Sequence, residues 1–125
     1  MAKYSLLLGA IGGFISVALG AFGAHGLKER LSEYHLGVFQ TGVQYQFWHS
    51  IALLFVGLLY LQSPQERLSL VTTLFVVGIL IFSGSLYALA LTQIPRFGMI
   101  TPLGGLAFLA AWAVLIWQFW NARSA

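Results

Sequence analysis

Charged side chains are confined to five short segments of this chain, and the stretches between them contain none. The nine Lys, Arg and Glu residues are Lys3, Lys28, Glu29, Arg30, Glu33, Glu66, Arg67, Arg96 and Arg123. They separate four uncharged stretches of 24, 32, 28 and 26 residues, at 4–27, 34–65, 68–95 and 97–122. A helix needs roughly 20 apolar residues to cross the hydrocarbon core of a bilayer, which is about 30 Å thick. Each stretch therefore allows one crossing and not two, which predicts an all-α membrane protein with four transmembrane helices.

The composition supports a single integral membrane domain over residues 1–125. The chain is 59% hydrophobic and 7% charged, whereas soluble domains are about 25% charged. Almost every residue is needed for a span or a short turn, so we expect no soluble catalytic module and no enzyme activity. The absence of cysteine excludes disulfides, thiolate metal sites and cysteine nucleophiles. The net charge of +3 is spread along the chain and does not indicate nucleic-acid binding.

The first predicted span, residues 4–24, carries small residues at every fourth position. They are Gly12, Ser16, Gly20 and Ala24. In lipid, helices associate largely where small side chains let the backbones approach each other. This face is therefore predicted to pack against another helix of the same bundle.

The remaining spans are predicted at about 40–62, 65–91 and 102–121. Before the second span, Leu27, Leu31 and Tyr34 form an apolar stripe beside charged residues, which predicts a short helix in the headgroup layer. Whether that helix and the second span form one bent helix stays open. Ser63-Pro64-Gln65-Glu66 and Thr101-Pro102 resemble helix starts with a capping residue and an early proline. Because the loops are short, we expect an antiparallel bundle with both termini on one side.

The orientation in the membrane is not determined by charge. Under this topology each side of the membrane carries three basic residues: Lys3, Arg67 and Arg123 on one, Lys28, Arg30 and Arg96 on the other. The positive-inside rule needs an imbalance to act on. Insertion in a single orientation and insertion in both orientations therefore remain open.

No ionised residue falls inside a predicted span, which disfavours a carboxylate-dependent, proton-coupled transporter. The candidate polar or ligand-binding residues are His25, Gln44, Gln46, His49, Ser83, Ser85, Tyr87 and Arg96. The neutral ones among them are predicted to join helices through hydrogen bonds, because unpaired polar groups are costly in hydrocarbon. The alternative is a polar cavity for a lipid or small solute. Arg96 is expected to bind a lipid phosphate or to extend into the headgroup layer.

His25 and His49 raise one further alternative. If the two imidazoles faced each other near one side of the membrane, they could ligate haem or a metal ion. The competing interpretation is that each ring makes ordinary hydrogen bonds to neighbouring groups. No other metal or cofactor site is indicated, and we expect none.

Four ordered segments resemble those of one known family. They are GAFGAHGLK at 20–28, FQTGVQYQFWH at 39–49, FSGSLYALALT at 82–92 and RFGMITPLGGLAF at 96–108. The chain resembles the YgdD-like family of small bacterial inner-membrane proteins, over nearly its whole length. The resemblance implies a four-helix protein of the bacterial inner (plasma) membrane, and it supplies no activity and no catalytic residues.

We therefore expect a non-enzymatic, multi-pass membrane protein that acts as an accessory or assembly subunit or binds lipids. One alternative is a homo-oligomeric channel or transporter of a small solute, which fits the chain length and the symmetric charge. The haem or metal protein remains the other alternative. The expected partners are membrane lipids, further copies of the chain or a larger membrane complex.

Overall fold

The computed structural model of the protein describes residues 1–122, which are helical apart from short turns. The α-helices are α1 (Ala2–Phe22), α2 (Glu33–Gln62), α3 (Glu66–Gly78), α4 (Gly84–Thr92) and α5 (Thr101–Trp120). A π-helical turn, Gly23–Leu27, extends α1, and another, Ile79–Ser83, joins α3 to α4 without a break. A 3₁₀ turn, Pro95–Met99, leads into α5. The all-helical prediction is confirmed for the described part of the chain.

Three continuous helical segments have the length and apolar composition needed to cross a membrane. They are Ala2–Leu27, Glu66–Thr92 and Pro95–Trp120. The 30 residues of α2 are also long enough, but its first half is rich in glutamine and other polar residues. The prediction of several membrane-spanning helices is thus confirmed for three of the four predicted spans.

Consecutive helices pack against each other in antiparallel order. On α1, Ser5 donates a hydrogen bond to the carbonyl of Leu53 at 2.6 Å, while Gly23 at the other end lies against the ring of Phe39. The α3–α4 segment packs between α2 and α5, so α1 and α5 are the outer helices. The main core lies among α2, α3 and α5 and includes Phe75. Large apolar side chains cover the outside, as expected where lipid replaces water.

The separate headgroup-layer helix predicted before the second span does not form. Residues 28–32 are a turn and a bend, and α2 begins at Glu33 and continues unbroken to Gln62. The Ser32 hydroxyl accepts a hydrogen bond from the backbone N–H of His35 at 3.1 Å. This bond caps the helix and explains why it starts there.

Two predicted helix starts also differ from the structure. The third helical segment begins at Glu66 after Gln65, so Pro64 lies outside it, and no side chain caps its N-terminus. Thr101 is the first residue of α5 and does not cap it. Its hydroxyl instead bonds the hydroxyl of Ser85 on α4. A tertiary contact therefore uses the group that the local pattern assigned to capping.

Candidate functional site

The side-chain amide of Gln46 links three helices. Its Nε2 donates a hydrogen bond to the carbonyl of Gly12 on α1 at 2.9 Å, and its Oε1 accepts one from the hydroxyl of Tyr87 on α4 at 2.7 Å. Gln46 is buried. Because unsatisfied polar groups are costly in an apolar medium, these paired groups hold α1, α2 and α4 in one register.

Two serines add further contacts, Ser83 to α2 and Ser85 to α5. The hydroxyl of Ser83, at the end of the π turn, donates to the carbonyl of Gly42 on α2 at 2.7 Å. The hydroxyl of Ser85 bonds the carbonyl of Phe82 and the hydroxyl of Thr101. Gln46, Ser83, Ser85 and Tyr87 therefore all take part in hydrogen bonds between helices.

His49 uses both ring nitrogens in hydrogen bonds within the protein. Nδ1 lies 2.7 Å from the carbonyl of Tyr45, and Nε2 lies 3.0 Å from the indole nitrogen of Trp112 on α5. An indole N–H can only donate, so Nε2 accepts and Nδ1 carries the proton. His49 is thus a neutral imidazole with no lone pair left for a metal ion.

Aromatic rings surround His49. Its ring stacks on Phe108 with a centroid separation of 3.7 Å and an interplanar angle of 9°. The ring centroids of Phe75 and Trp112 lie 5.4 Å and 5.9 Å from the centroid of the His49 ring. The ring is therefore built into the contact between α2, α3 and α5.

A groove of about 800 Å³ opens beside this cluster, between α2, the π turn and α5. Its lining is mostly aromatic and aliphatic: Tyr45, Trp48, His49, Phe82, Pro102, Gly105, Leu106, Phe108, Leu109 and Trp112. The side chains of Leu106 and Leu109 are 62% and 67% exposed, so the groove opens on the outer surface of the helices. We call it the aromatic groove.

The structure does not bring His25 and His49 together, as joint ligation of haem or a metal ion would require. His25 lies exposed in the π turn that ends the first helix. Gly23 in this turn contacts Phe39, ten residues before His49 on α2, which corresponds to about 15 Å along the helix axis. Within residues 1–122, no group of three or more His, Cys, Asp or Glu residues could hold a metal ion.

Gln44 and Arg96 also lie outside the polar contacts. Gln44 is exposed and turned away from Gln46, toward the face shared by α1 and α2. Arg96 is exposed in the 3₁₀ turn before α5. The candidate residues therefore separate into a buried interhelical set and an exposed set consisting of His25, Gln44 and Arg96.

The predicted small-residue face packs on α2 in part. A Cβ added at Gly12 would overlap the Ser50 hydroxyl, and one at Gly20 would lie 3.6 Å from Val43. Ser16 is buried, whereas Ala24 is exposed. Gly9, which the four-residue repeat omits, approaches α2 more closely than Gly20 does, because a Cβ there would lie 2.7 Å from the Ser50 carbonyl oxygen.

The sequence interpretation missed Phe108 and Trp112 as partners of His49. Their four-residue spacing places them on one face of α5 and was the available signal. Which helix that face meets, however, depends on the tertiary packing. The close approach of Gly104 to the backbone of Phe82 was missed for the same reason.

Comparison with known proteins identifies related sequences. The profile of the family described as "Protein of unknown function (DUF423)" matches residues 19–105. The UPF0382 membrane protein YwdK of Bacillus subtilis is 44% identical over 117 residues, covering 91% of this chain and 94% of that protein. The UPF0382 inner membrane protein YgdD of Escherichia coli K12 is 40% identical over 118 residues, which cover 91% of this chain and 87% of that protein. No solved structure matches the chain.

Proposed function

The chain belongs to the DUF423 family and is a membrane protein, and from that premise we propose that it is a non-enzymatic, lipid-binding accessory protein of the bacterial plasma membrane with four spans. The observation that carries the proposal is the aromatic groove, which opens laterally on the apolar surface of the helices. Its proposed occupant is one acyl chain of a phospholipid.

The proposed fourth span is α2. It runs antiparallel to α1 from the contact between Phe39 and Gly23 to the contact between Gly57 and Leu6. Because α2 lies alongside α1 between these two contacts, it would cross the same thickness of the membrane as α1. The buried polar side chains of α2, including Gln46 and His49, are paired with other helices, so these buried groups do not oppose insertion.

The length of the aromatic groove fits one leaflet. Along α5 it extends from Pro102 to Trp112, which are ten residues apart and therefore about 15 Å apart along the helix axis. Half of a hydrocarbon core of about 30 Å is the same length. An acyl chain lying in the groove would cover its aromatic rings, and the His49 and Trp112 rings among them already pair their nitrogens within the protein.

Arg96 is the proposed headgroup contact. It lies exposed in the turn Pro95–Met99, next to the end of α5 that carries Pro102. A guanidinium at the membrane surface favours phosphate. The acyl chain of the bound lipid would thus enter the groove at the end where the lipid phosphate contacts Arg96.

The hydrogen-bonding pattern supports a non-enzymatic role. His49 uses both ring nitrogens, and Gln46 and Tyr87 bond each other. In residues 1–122 these groups stabilise helix contacts, and none is arranged as a nucleophile paired with a base.

Photo-crosslinking tests the proposal. The protein is reconstituted in nanodiscs with a phospholipid that carries a diazirine in its acyl chain, and labelled peptides are mapped by mass spectrometry. Labelling is expected to concentrate on the groove segments of α2 and α5. Leu106→Trp fills the groove and should lower that labelling at least fivefold, because the added indole takes the place of the chain.

The matched control is Leu103→Trp. Leu103 is 60% exposed on the same helix but does not line the groove, so its substitution should leave groove labelling unchanged. Arg96→Gln should reduce labelling by an anionic phospholipid more than labelling by a zwitterionic one. Equal labelling of all lipid-exposed helix faces, unaffected by Leu106→Trp, would contradict the proposal.

A further inference from the structure

Two glutamines on α2 face outward beside α1, and Trp48, one turn after Gln44, lies between this face and the aromatic groove. Gln40 and Gln44 are exposed, one helical turn apart, and both line a groove of about 390 Å³ beside Gly20 and Gly23. Neither side-chain amide makes a hydrogen bond to another residue in the described range 1–122. The face therefore carries donors and acceptors that the single chain does not use.

Given the crossing of α2 that is proposed above, Gln44 lies deep in the hydrocarbon. It lines a second groove together with Ser16 and Val17 of α1. The spanning segment Ala2–Leu27 has its midpoint at residues 14–15, so Ser16 and Val17 lie within about 5 Å of the bilayer centre. At this depth lipid tails offer no hydrogen-bond partner, and a glutamine side chain is too short to reach the headgroups.

The groove that continues along α1 and α2 also leaves room for a helix. Gly13, Val17 and Phe47 line it, and Val17 and Phe47 also line the groove that contains Gln44. A Cβ added at Gly13 would meet no atom within 4 Å, so the small residue is not filling a contact inside the chain. Small residues next to an interhelical amide are the usual composition of a helix–helix interface in lipid.

We propose that a second copy of this chain docks on the face formed by Gly13, Val17, Gln40, Gln44 and Phe47, and that the two Gln44 side chains pair across a two-fold axis. An amide both donates and accepts, so it is complementary to an identical amide. Two copies inserted in the same orientation carry Gln44 at the same depth. A two-fold axis along the membrane normal therefore places each Gln44 opposite its counterpart.

Cysteine cross-linking in membranes tests the interface, because the natural chain has no cysteine. Phe47→Cys and Gln40→Cys, each as the single cysteine, should give covalent dimers of twice the chain mass. The control is Ala113→Cys, which is exposed on α5 beside Trp112, at the depth of His49. It should give at least tenfold less dimer.

A second measurement tests the role of the amide itself. Gln44→Leu should raise the dimer dissociation constant, measured by energy transfer between labelled chains in vesicles, about tenfold, the effect of one or two interhelical hydrogen bonds. Gln44→Asn should retain most of the dimer. Because Gln44 is exposed, the leucine variant is expected to keep the fold.

Four outcomes would overturn the proposal. The first two are equal cross-linking of Phe47→Cys and Ala113→Cys, and a dissociation constant unchanged by Gln44→Leu. The third is an adduct whose mass is that of another protein. The fourth is dimer from Phe47→Cys without dimer from Gln40→Cys, because an antiparallel pair would place the two Gln40 positions on opposite sides of the bilayer centre. None of these results bears on the aromatic groove, so the two proposals fail separately.

Discussion

Gln44 and Gln46 show how strongly the position around a helix decides the role of a residue. The two amides are chemically identical and lie two residues apart, so they project about 200° apart around α2. Gln46 is buried and paired with α1 and α4. Gln44 is exposed on the face shared with α1.

The two glutamines make a matched test of stability. Gln46→Leu removes two interhelical hydrogen bonds and leaves the Tyr87 hydroxyl without its partner. It should lower the free energy of unfolding by about 1–3 kcal/mol. Gln44→Leu should change it by less than about 0.5 kcal/mol. The measurement is reversible unfolding in mixed micelles, with enough detergent to keep the chain monomeric. Equal effects of the two substitutions would show that the Gln46 contacts do not stabilise the fold.

At the scale of the elements, glycines set how closely the helices approach. A Cβ added at Gly104 on α5 would overlap the backbone of Phe82 in the π turn, which cannot move aside as a side chain can. A Cβ at Gly42 would lie 2.8 Å from the Tyr87 ring. Ser83, which donates a hydrogen bond to the carbonyl of Gly42 on α2, belongs to the same π turn. The turn is thus the segment where α2, α4 and α5 meet.

The substitution Gly104→Ala should therefore be costly. Overpacking against backbone typically costs about 1–3 kcal/mol, and we expect a loss in this range, with lower yield of folded protein. Gly105→Ala is the control, because a Cβ there would lie 3.9 Å from the Phe82 ring, an ordinary contact. The thermal midpoint in detergent, followed by circular dichroism, distinguishes the two. A Gly104→Ala variant as stable as Gly105→Ala would mean that the π turn and α5 can separate without cost.

At the scale of the whole molecule, charged residues lie at the two ends of the helical segments. Lys28, Arg30 and Arg96 lie at one end. Lys3 and Arg67 lie at the other, where the Arg67 guanidinium carbon is 3.7 Å from the centroid of the Trp117 ring. Arg123 is outside the described residues. Charges and an aromatic ring at these levels are typical of membrane interfaces.

The proposed four spans predict which turns share a side of the membrane. Single cysteines at Ser63 and at Gln93 should be labelled by a membrane-impermeant maleimide from opposite sides, because one helical segment separates them. A cysteine at Ser32 should behave like the one at Gln93. The assay uses intact cells and inverted vesicles. Labelling of the Ser32 and Ser63 variants from the same side would contradict a membrane-crossing α2, and labelling of each variant from both sides would indicate dual orientation.

The sequence alone determined the helical class, the order of the apolar segments and their antiparallel succession. The physical reason is that charges are costly in hydrocarbon and that turns as short as residues 28–32 or 63–65 allow only a reversal of direction. The same cost predicted that neutral polar residues of the spans, Gln44 and Gln46 among them, would pair between helices, but not which of them would do so. These conclusions need only the composition of each stretch.

Only the tertiary structure decided which polar groups are paired and where the groove lies. His49 contacts Trp112, which is 63 residues away in sequence, and the aromatic groove combines residues from α2, the π turn and α5. In lipid-facing helices nearly every position is apolar, so the pattern does not reveal how each helix is rotated about its axis. That rotation is set by close contacts such as Gly104 on Phe82, and it pairs Gln46 and leaves Gln44 exposed.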